Sequence, residues 1–211
     1  YLVYRARFLG GLAPVLQRPT LSWWDAALTG FALIAQYAWK LLWPMRLCMF
    51  YVFRKASSPL DPHVLAGLVV LLGCGALFAV LWHRARRVSF ALLWLLATLL
   101  PVLNARWMAA NVFAERYLFL PSVGFCWLTA WAAERLWSSA TPRVRFWRRA
   151  VAGALCVIAV LSALRTVTRN RDWHDELTLY TRTLEFSPDA YLIRANLGTV
   201  YWNMGRAAEA E

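Results

Sequence analysis

Val64-Leu65-Ala66-Gly67-Leu68-Val69-Val70-Leu71-Leu72-Gly73-Cys74-Gly75-Ala76-Leu77-Phe78-Ala79-Val80-Leu81-Trp82 runs without a single charge. A helix needs about 20 apolar residues to cross a bilayer, and this run meets that length. Working outward, His83-Arg84-Ala85-Arg86-Arg87 closes it with a basic cluster. A second apolar stretch, Phe90–Leu103, extends back through Val88. Tyr117–Ala133 and Trp147–Leu164 read as further spans, the latter with Arg148 and Arg149 at its edge, able to snorkel. Ala26–Trp43 carries Gln36 and Lys40 and runs up to Pro44, so it fits either a span or an amphipathic helix lying at the surface.

Composition agrees with a membrane protein. Hydrophobic residues make up 61% of the chain, above the roughly 45–50% of a soluble domain, and the mean hydropathy is +0.46. The 13 tryptophans suit headgroup-level anchoring. The net charge of +12 is carried almost entirely by arginine. Residues 1–164 hold 17 Lys/Arg against 4 Asp/Glu, whereas 165–211 hold 6 Arg against 7 acids. The base therefore flanks apolar runs and forms no stripe on a soluble face, which disfavours nucleic acid as a partner.

The positive-inside rule sets an orientation. The loop His83–Arg87 and the loop with Arg135, Arg143, Arg145, Arg148 and Arg149 both read as cytoplasmic. Arg54–His63, Asn104–Arg116 and everything after Leu164 then face the other side. Arg106 and Arg116 stand on that outer side against the rule, and an anionic partner would account for them.

After Leu164 the composition changes. Asp189-Ala190-Tyr191-Leu192-Ile193-Arg194-Ala195-Asn196-Leu197-Gly198-Thr199-Val200-Tyr201 continues to Gly205 and Ala210. With Pro188 closing one unit, Leu197, Gly198, Tyr201, Gly205 and Ala210 fall at the signature positions of a 34-residue tetratricopeptide (TPR) repeat. The register extended backwards puts Tyr180 and Thr183 on a preceding helix B. Its helix A would be Val157–Asn170, the end of the last span. Asp172 is expected to cap the helix between, with Asp175 completing a box-like spacing. The chain opens on Tyr1 and stops inside a repeat at Glu211, which reads as a fragment of a longer protein.

Three stretches together resemble a known family. They are Leu41-Leu42-Trp43-Pro44-Met45-Arg46-Leu47-Cys48, then Leu100-Pro101-Val102-Leu103-Asn104 with Ala114-Glu115-Arg116-Tyr117-Leu118-Phe119-Leu120-Pro121-Ser122, and Arg165, Arg169, Asp172-Trp173 and Glu176 leading into repeats. The pattern is similar to the transmembrane-and-TPR O-mannosyltransferases (TMTC). The resemblance implies a GT-C-type membrane glycosyltransferase that moves a sugar, expected to be mannose, from a polyprenyl- or dolichyl-phosphate carrier to protein Ser/Thr hydroxyls. It implies work on the lumenal side of the endoplasmic reticulum, or on the periplasmic side of a bacterial inner membrane. The chain departs from the pattern at Phe50, where the family carries Asp. The catalytic acid implied by the resemblance lies in an N-terminal loop outside this chain, so no catalytic residue is assigned.

The expected fold is thus all-α: a polytopic, GT-C-like transmembrane bundle over residues 1–164, followed by TPR helical hairpins over 165–211. Arg116, Glu115 and Arg106 are the candidates for donor-phosphate binding, because guanidinium matches phosphate oxygens bidentately. A structural Glu–Arg pair at the interface is the plainer alternative. Asn104 is expected to cap an outer helix. Tyr201 and Asn196 are the candidate protein-contacting residues of the repeat. Cys48, Cys74, Cys126 and Cys156 have no metal-type spacing, and His63, His83 and His174 stand far apart, so no metal or other cofactor is expected. There is no Walker loop, GxGxxG, Asp-x-Asp or Ser-His-Asp arrangement. The partners are then a lipid-linked sugar, an acceptor protein and membrane lipid. The rival is a membrane-anchored TPR scaffold without catalysis.

Overall fold

A computed structural model of the chain describes residues 21–44, 47–52, 54–105, 112–138 and 142–210, apart from the side chains of 136 and 142–147. The described residues form helices and no strand. In chain order they are α1 (Trp23–Leu42), α2 (Pro62–Trp82), α3 (Arg86–Leu103), a 3₁₀ turn (Glu115–Leu118), α4 (Phe119–Ser138), α5 (Pro142–Asn170), a second 3₁₀ turn (Arg171–Trp173), α6 (Glu176–Phe186), α7 (Tyr191–Asn203) and α8 (Ala207–Ala210). They divide into two compact units, the described residues of 21–47 with 54–128, and 48–52 with the described residues of 129–210.

In the first unit, local chemistry sets the helix starts. Ser22 Oγ accepts the Asp25 N–H at 3.0 Å to open α1. Asp61 Oδ1 accepts the His63 N–H at 2.8 Å, with Pro62 in the first helical position, where its missing N–H would have had no partner inside the helix. α1 lies closely against α2: a Cβ on Gly67 would strike the Phe31 carbonyl. Leu28, Ala32, Ala56 and Val64 form a buried cluster there, with Phe31 at its edge. The loop before α2 is fastened to α1 twice, by Lys55 Nζ to Asp25 Oδ2 at 3.3 Å and by the Ala56 N–H to Thr29 Oγ1 at 3.3 Å.

α4 runs antiparallel to α3. Trp94 faces Leu120, Ala91 and Leu95 face Gly124, and Phe90 meets the Trp127 ring edge-on at 6.1 Å. Gly124 permits this approach, since a Cβ there would sit 2.6 Å from the Ala91 carbonyl oxygen.

In the second unit, α5 runs unbroken from Pro142 to Asn170. Leu155, Val157, Ile158, Val160, Leu161, Leu164 and Val167 are each half exposed or more. A helix that is apolar all round and unburied by protein is solvated by lipid. α5 does not lie along α6 as half of a repeat would. Both pack on the turn Arg171–Trp173 between them. The expectation that Val157–Asn170 serves as helix A of the first repeat is therefore corrected: the helix is spent on the apolar layer, and α6 and α7 pair with each other instead. The cap is corrected too. Asp172 lies in the 3₁₀ turn, and Asp175 caps α6 through Oδ1 to the Thr178 N–H and Oδ2 to the Thr178 hydroxyl, both 2.8 Å.

Among the described residues, α2, α3 and Arg148–Trp173 are long and apolar enough to cross a membrane. Expected spans Val64–Trp82 and Val88–Leu103 coincide with α2 and α3. The span Trp147–Leu164 falls inside α5, and that helix continues to Asn170. Tyr117–Ala133 and Ala26–Trp43 fall on α4 and α1, which are not among the three. α4 begins only at Phe119, because Tyr117 and Leu118 belong to the 3₁₀ turn.

Candidate functional site

Glu115 and Arg116 lie on the 3₁₀ turn that leads into α4. Ala114 before them is extended, with φ −152° and ψ 141°. Its carbonyl accepts the Tyr117 N–H at 3.2 Å, which closes the turn. Val112, Phe113 and Ala114 are buried, Glu115 is half-buried and Arg116 is exposed. The sequence thus switches from an apolar anchor to an exposed cation within a few residues.

The Arg116 guanidinium lies 5.1 Å over the Tyr117 ring and donates from Nη2 to the Tyr117 hydroxyl at 3.5 Å. Among the described residues it makes no ion pair with a carboxylate. A stacked guanidinium keeps most of its five N–H donors for another acceptor.

The height of the turn follows from the α3–α4 pairing. Leu120 stands level with Trp94, and α3 continues for nine residues beyond Trp94 to Leu103, about 13 Å at helical rise. Arg116 lies four residues before Leu120 on a 3₁₀ path rising about 2 Å per residue. The turn therefore stands within about one to two helical turns of the α3 C-terminus.

Behind the turn stands Tyr37 of α1, fully buried. Its ring lies 4.7 Å from the Phe113 ring at 33°. Its hydroxyl accepts the Ala114 N–H at 3.5 Å and is within electrostatic reach of Arg116 and Tyr117. Sequence reading did not find Tyr37. It is separated from Ala114 by 77 positions, and no local pattern joins the two.

Arg106 and Arg46 lie outside the described residues. Asn104, expected to cap a following helix, stands at the C-cap of α3. Among the described residues no group of three His, Cys, Asp or Glu side chains gathers as a metal site.

A second feature lies at the C-terminal hairpin. α6 and α7 pack as an antiparallel pair through Thr183, Ser187, Ala190, Ile193 and Val200, all buried. α7 ends in a Schellman closure: Gly205 takes φ 74°, its N–H reaches the Trp202 carbonyl at 3.0 Å, and the Arg206 N–H reaches the Tyr201 carbonyl at 3.0 Å. A groove of about 790 Å³ lies along α7 and α8, lined by Tyr191, Arg194, Leu197, Tyr201 and Trp202 among others. Tyr201 lines it, and Asn196, exposed on α7, does not. A further segment, Cys48–Val52 from the loop between α1 and α2, packs on α6 in the same unit. The Cys48 thiol is 3.7 Å from the Thr183 carbonyl oxygen and 3.8 Å from Ser187 Oγ.

Comparison with known proteins finds protein O-mannosyl-transferases among its relatives. The protein O-mannosyl-transferase Tmtc3 of Drosophila melanogaster is 29% identical over 196 residues, covering 88% of this chain and 21% of that protein. Tmtc2 of the same organism is 37% identical over 112 residues, covering 53% of this chain and 11% of the relative. Human TMTC4 is 30% identical over 169 residues, covering 76% and 22%. The chain thus spans about a fifth of the length of such relatives. No protein-family profile matches the chain. No solved structure matches it.

Proposed function

Since the chain belongs to the TMTC-like family, we propose that it is the part of a membrane glycosyltransferase that holds the donor phosphate and begins the acceptor-binding surface. The intact protein moves a sugar, mannose by the names of the relatives, from a polyprenyl- or dolichyl-phosphate carrier to Ser/Thr hydroxyls of a protein on the non-cytoplasmic side. The observation that carries the reading is the exposed Arg116 on its turn near the C-terminal end of α3, stacked on Tyr117 and without a carboxylate partner among the described residues.

Transfer leaves the phosphate with an extra negative charge as the sugar–phosphate bond breaks. A fixed cation already in place stabilises that charge without reorganisation. Arg116 does this. Glu115 beside it meets the acceptor, and Arg106 is a second phosphate contact. The basic loops His83–Arg87 and Arg135–Arg149 support the orientation. The hairpin α6–α7 with α8 acts as the first TPR-type surface, with Tyr201 in its groove and Asn196 beside it as acceptor contacts. This suits concave repeat surfaces that bind extended segments.

The test is Arg116→Ala in the intact, membrane-embedded protein, with transfer measured from dolichyl phosphate mannose to an acceptor protein. Transfer at the wild-type rate would remove Arg116 from the mechanism and leave the membrane-anchored scaffold as the better reading.

A further inference from the structure

We propose that Tyr37 is a positioning residue for Arg116: from α1 it fixes the backbone of Ala114, and through it the direction in which the Glu115–Arg116 turn presents the guanidinium. The inference rests on the phosphate-binding reading of Arg116 and adds a second residue to it.

Three observations carry it. First, both backbone groups of Ala114 are engaged. The N–H goes to Tyr37 Oη at 3.5 Å, and the carbonyl accepts from Tyr117 at 3.2 Å. Ala114 is the extended residue between the buried segment and the turn, so its orientation sets where the turn points. Second, the surroundings offer little competition. Tyr37 is 0% and Ala114 4% exposed, and an amide N–H at such a site depends on the protein for its partner. Third, the guanidinium of Arg116 is not itself clamped from α1. It rests on Tyr117, its chain neighbour, so its place in space is inherited from the backbone. Tyr37 carries both parts of the device: the ring packed on Phe113 holds the segment inward, and the hydroxyl sets its rotation.

The experiment uses the full-length protein and a double-mutant cycle of Tyr37→Phe and Arg116→Ala, with donor KM and kcat read for dolichyl phosphate mannose. Phe keeps the ring contact and removes only the hydroxyl. The expected result is a fall in donor kcat/KM of about fivefold for Tyr37→Phe, the effect of one net hydrogen bond, carried by a higher KM and a lower kcat together because Arg116 both holds the donor phosphate and meets the charge that develops on it. In the Arg116→Ala background the same substitution should have no further effect, because residues that act through one another are not additive. Amide exchange at Ala114 should quicken in Tyr37→Phe. Equal kcat/KM effects in both backgrounds, or an unchanged Ala114 exchange rate, would overturn the positioning role. Wild-type kinetics for Arg116→Ala alone would instead overturn the phosphate reading. The exchange rate, which needs no activity, keeps the two failures apart.

Discussion

The indole Nε1 of Trp94 donates to the carbonyl of Leu120 at 3.1 Å, tying the middle of α3 to the first turn of α4. In an apolar layer that bond has no water to replace it. Trp94→Phe keeps an aromatic ring at the position but removes the donor together with the five-membered part of the indole. The expected cost is about 1 kcal/mol, the scale of interhelical hydrogen bonds in membranes. Unfolding of the detergent-solubilised protein in a graded SDS titration measures it. An unchanged midpoint would mean the bond contributes nothing there.

Gly124 sits on the same seam. A methyl group there would lie 2.6 Å from the Ala91 oxygen and 3.0 Å from Leu95 Cβ. The obstructing atom is backbone, so it has no rotamer to yield with, and Gly124→Ala should push α3 and α4 apart at about 1–3 kcal/mol. Gly73→Ala is the control. Its added Cβ meets nothing within 4 Å, so it should be neutral or slightly stabilising through helix propensity. The same titration, run on both variants, checks the difference.

Asp175 supplies a pH-dependent prediction. The Thr178 N–H and hydroxyl hold its carboxyl below the usual 3.8. A carboxylate with a depressed folded pKa stabilises the fold above its unfolded value, and that contribution is lost as pH falls through the folded value. Protection of the Thr178 amide should therefore be constant from neutral pH down to about pH 4 and fall below it. Asp175→Asn keeps a cap acceptor without the titration and should flatten that fall. Hydrogen exchange followed by mass spectrometry across Asp175–Leu179 reads both.

Cys48 should behave unlike the cysteines on the long helices. It is buried against α6, whereas Cys126 and Cys156 are exposed on apolar helices. A water-soluble maleimide should leave Cys48 unmodified in the folded protein and label it once the protein is denatured. A lipid-soluble carbene-generating photoprobe, which needs no thiolate, should label the helix surfaces around Cys126 and Cys156 in the folded state and spare Cys48. Rapid labelling of Cys48 under native conditions would show that the Cys48–Val52 segment does not rest on α6.

What the sequence made legible was decided by length and pattern. α2 and α3 follow from unbroken apolar runs, and helices at Tyr180–Thr183 and around Leu197–Tyr201 follow from the repeat register, but that register paired the first of them with Val157–Asn170 and not with α7. What it could not give was contact across distance. Tyr37 meets Ala114 over 77 positions and Cys48 meets Thr183 over 135, and neither residue carries a local signature of its partner. The choice between Asp172 and Asp175 failed for a nearer reason. Both acids stand before α6 at workable spacing, and only the length of α5 and the turn after it decides which one is left at the helix mouth. Arg116 was legible as a cation out of place, but its stacking on Tyr117 and its backing by α1 were not.

The orientation itself can be tested with no assumption about chemistry. Lys and Arg cluster at His83–Arg87 and at Arg135–Arg149, and the stretches Arg54–His63 and Ser187–Ala190 are less basic. If the clusters stay in the cytoplasm, an Asn-x-Ser/Thr acceptor on a short flexible insert after Leu60, or between Pro188 and Asp189, should be glycosylated when the full-length protein is made in a eukaryotic cell. The same insert within residues 139–141 should not be. A shift of about one glycan on a gel, reversed by endoglycosidase, is the readout. Changing Arg84, Arg86 and Arg87 together to Ala should weaken the preference at the α2–α3 turn, since the K/R bias near span ends sets orientation. Modification at 139–141 in the unmutated protein would invert the assignment and put Arg116 on the cytoplasmic side. A lumenal or periplasmic donor phosphate could not reach it there.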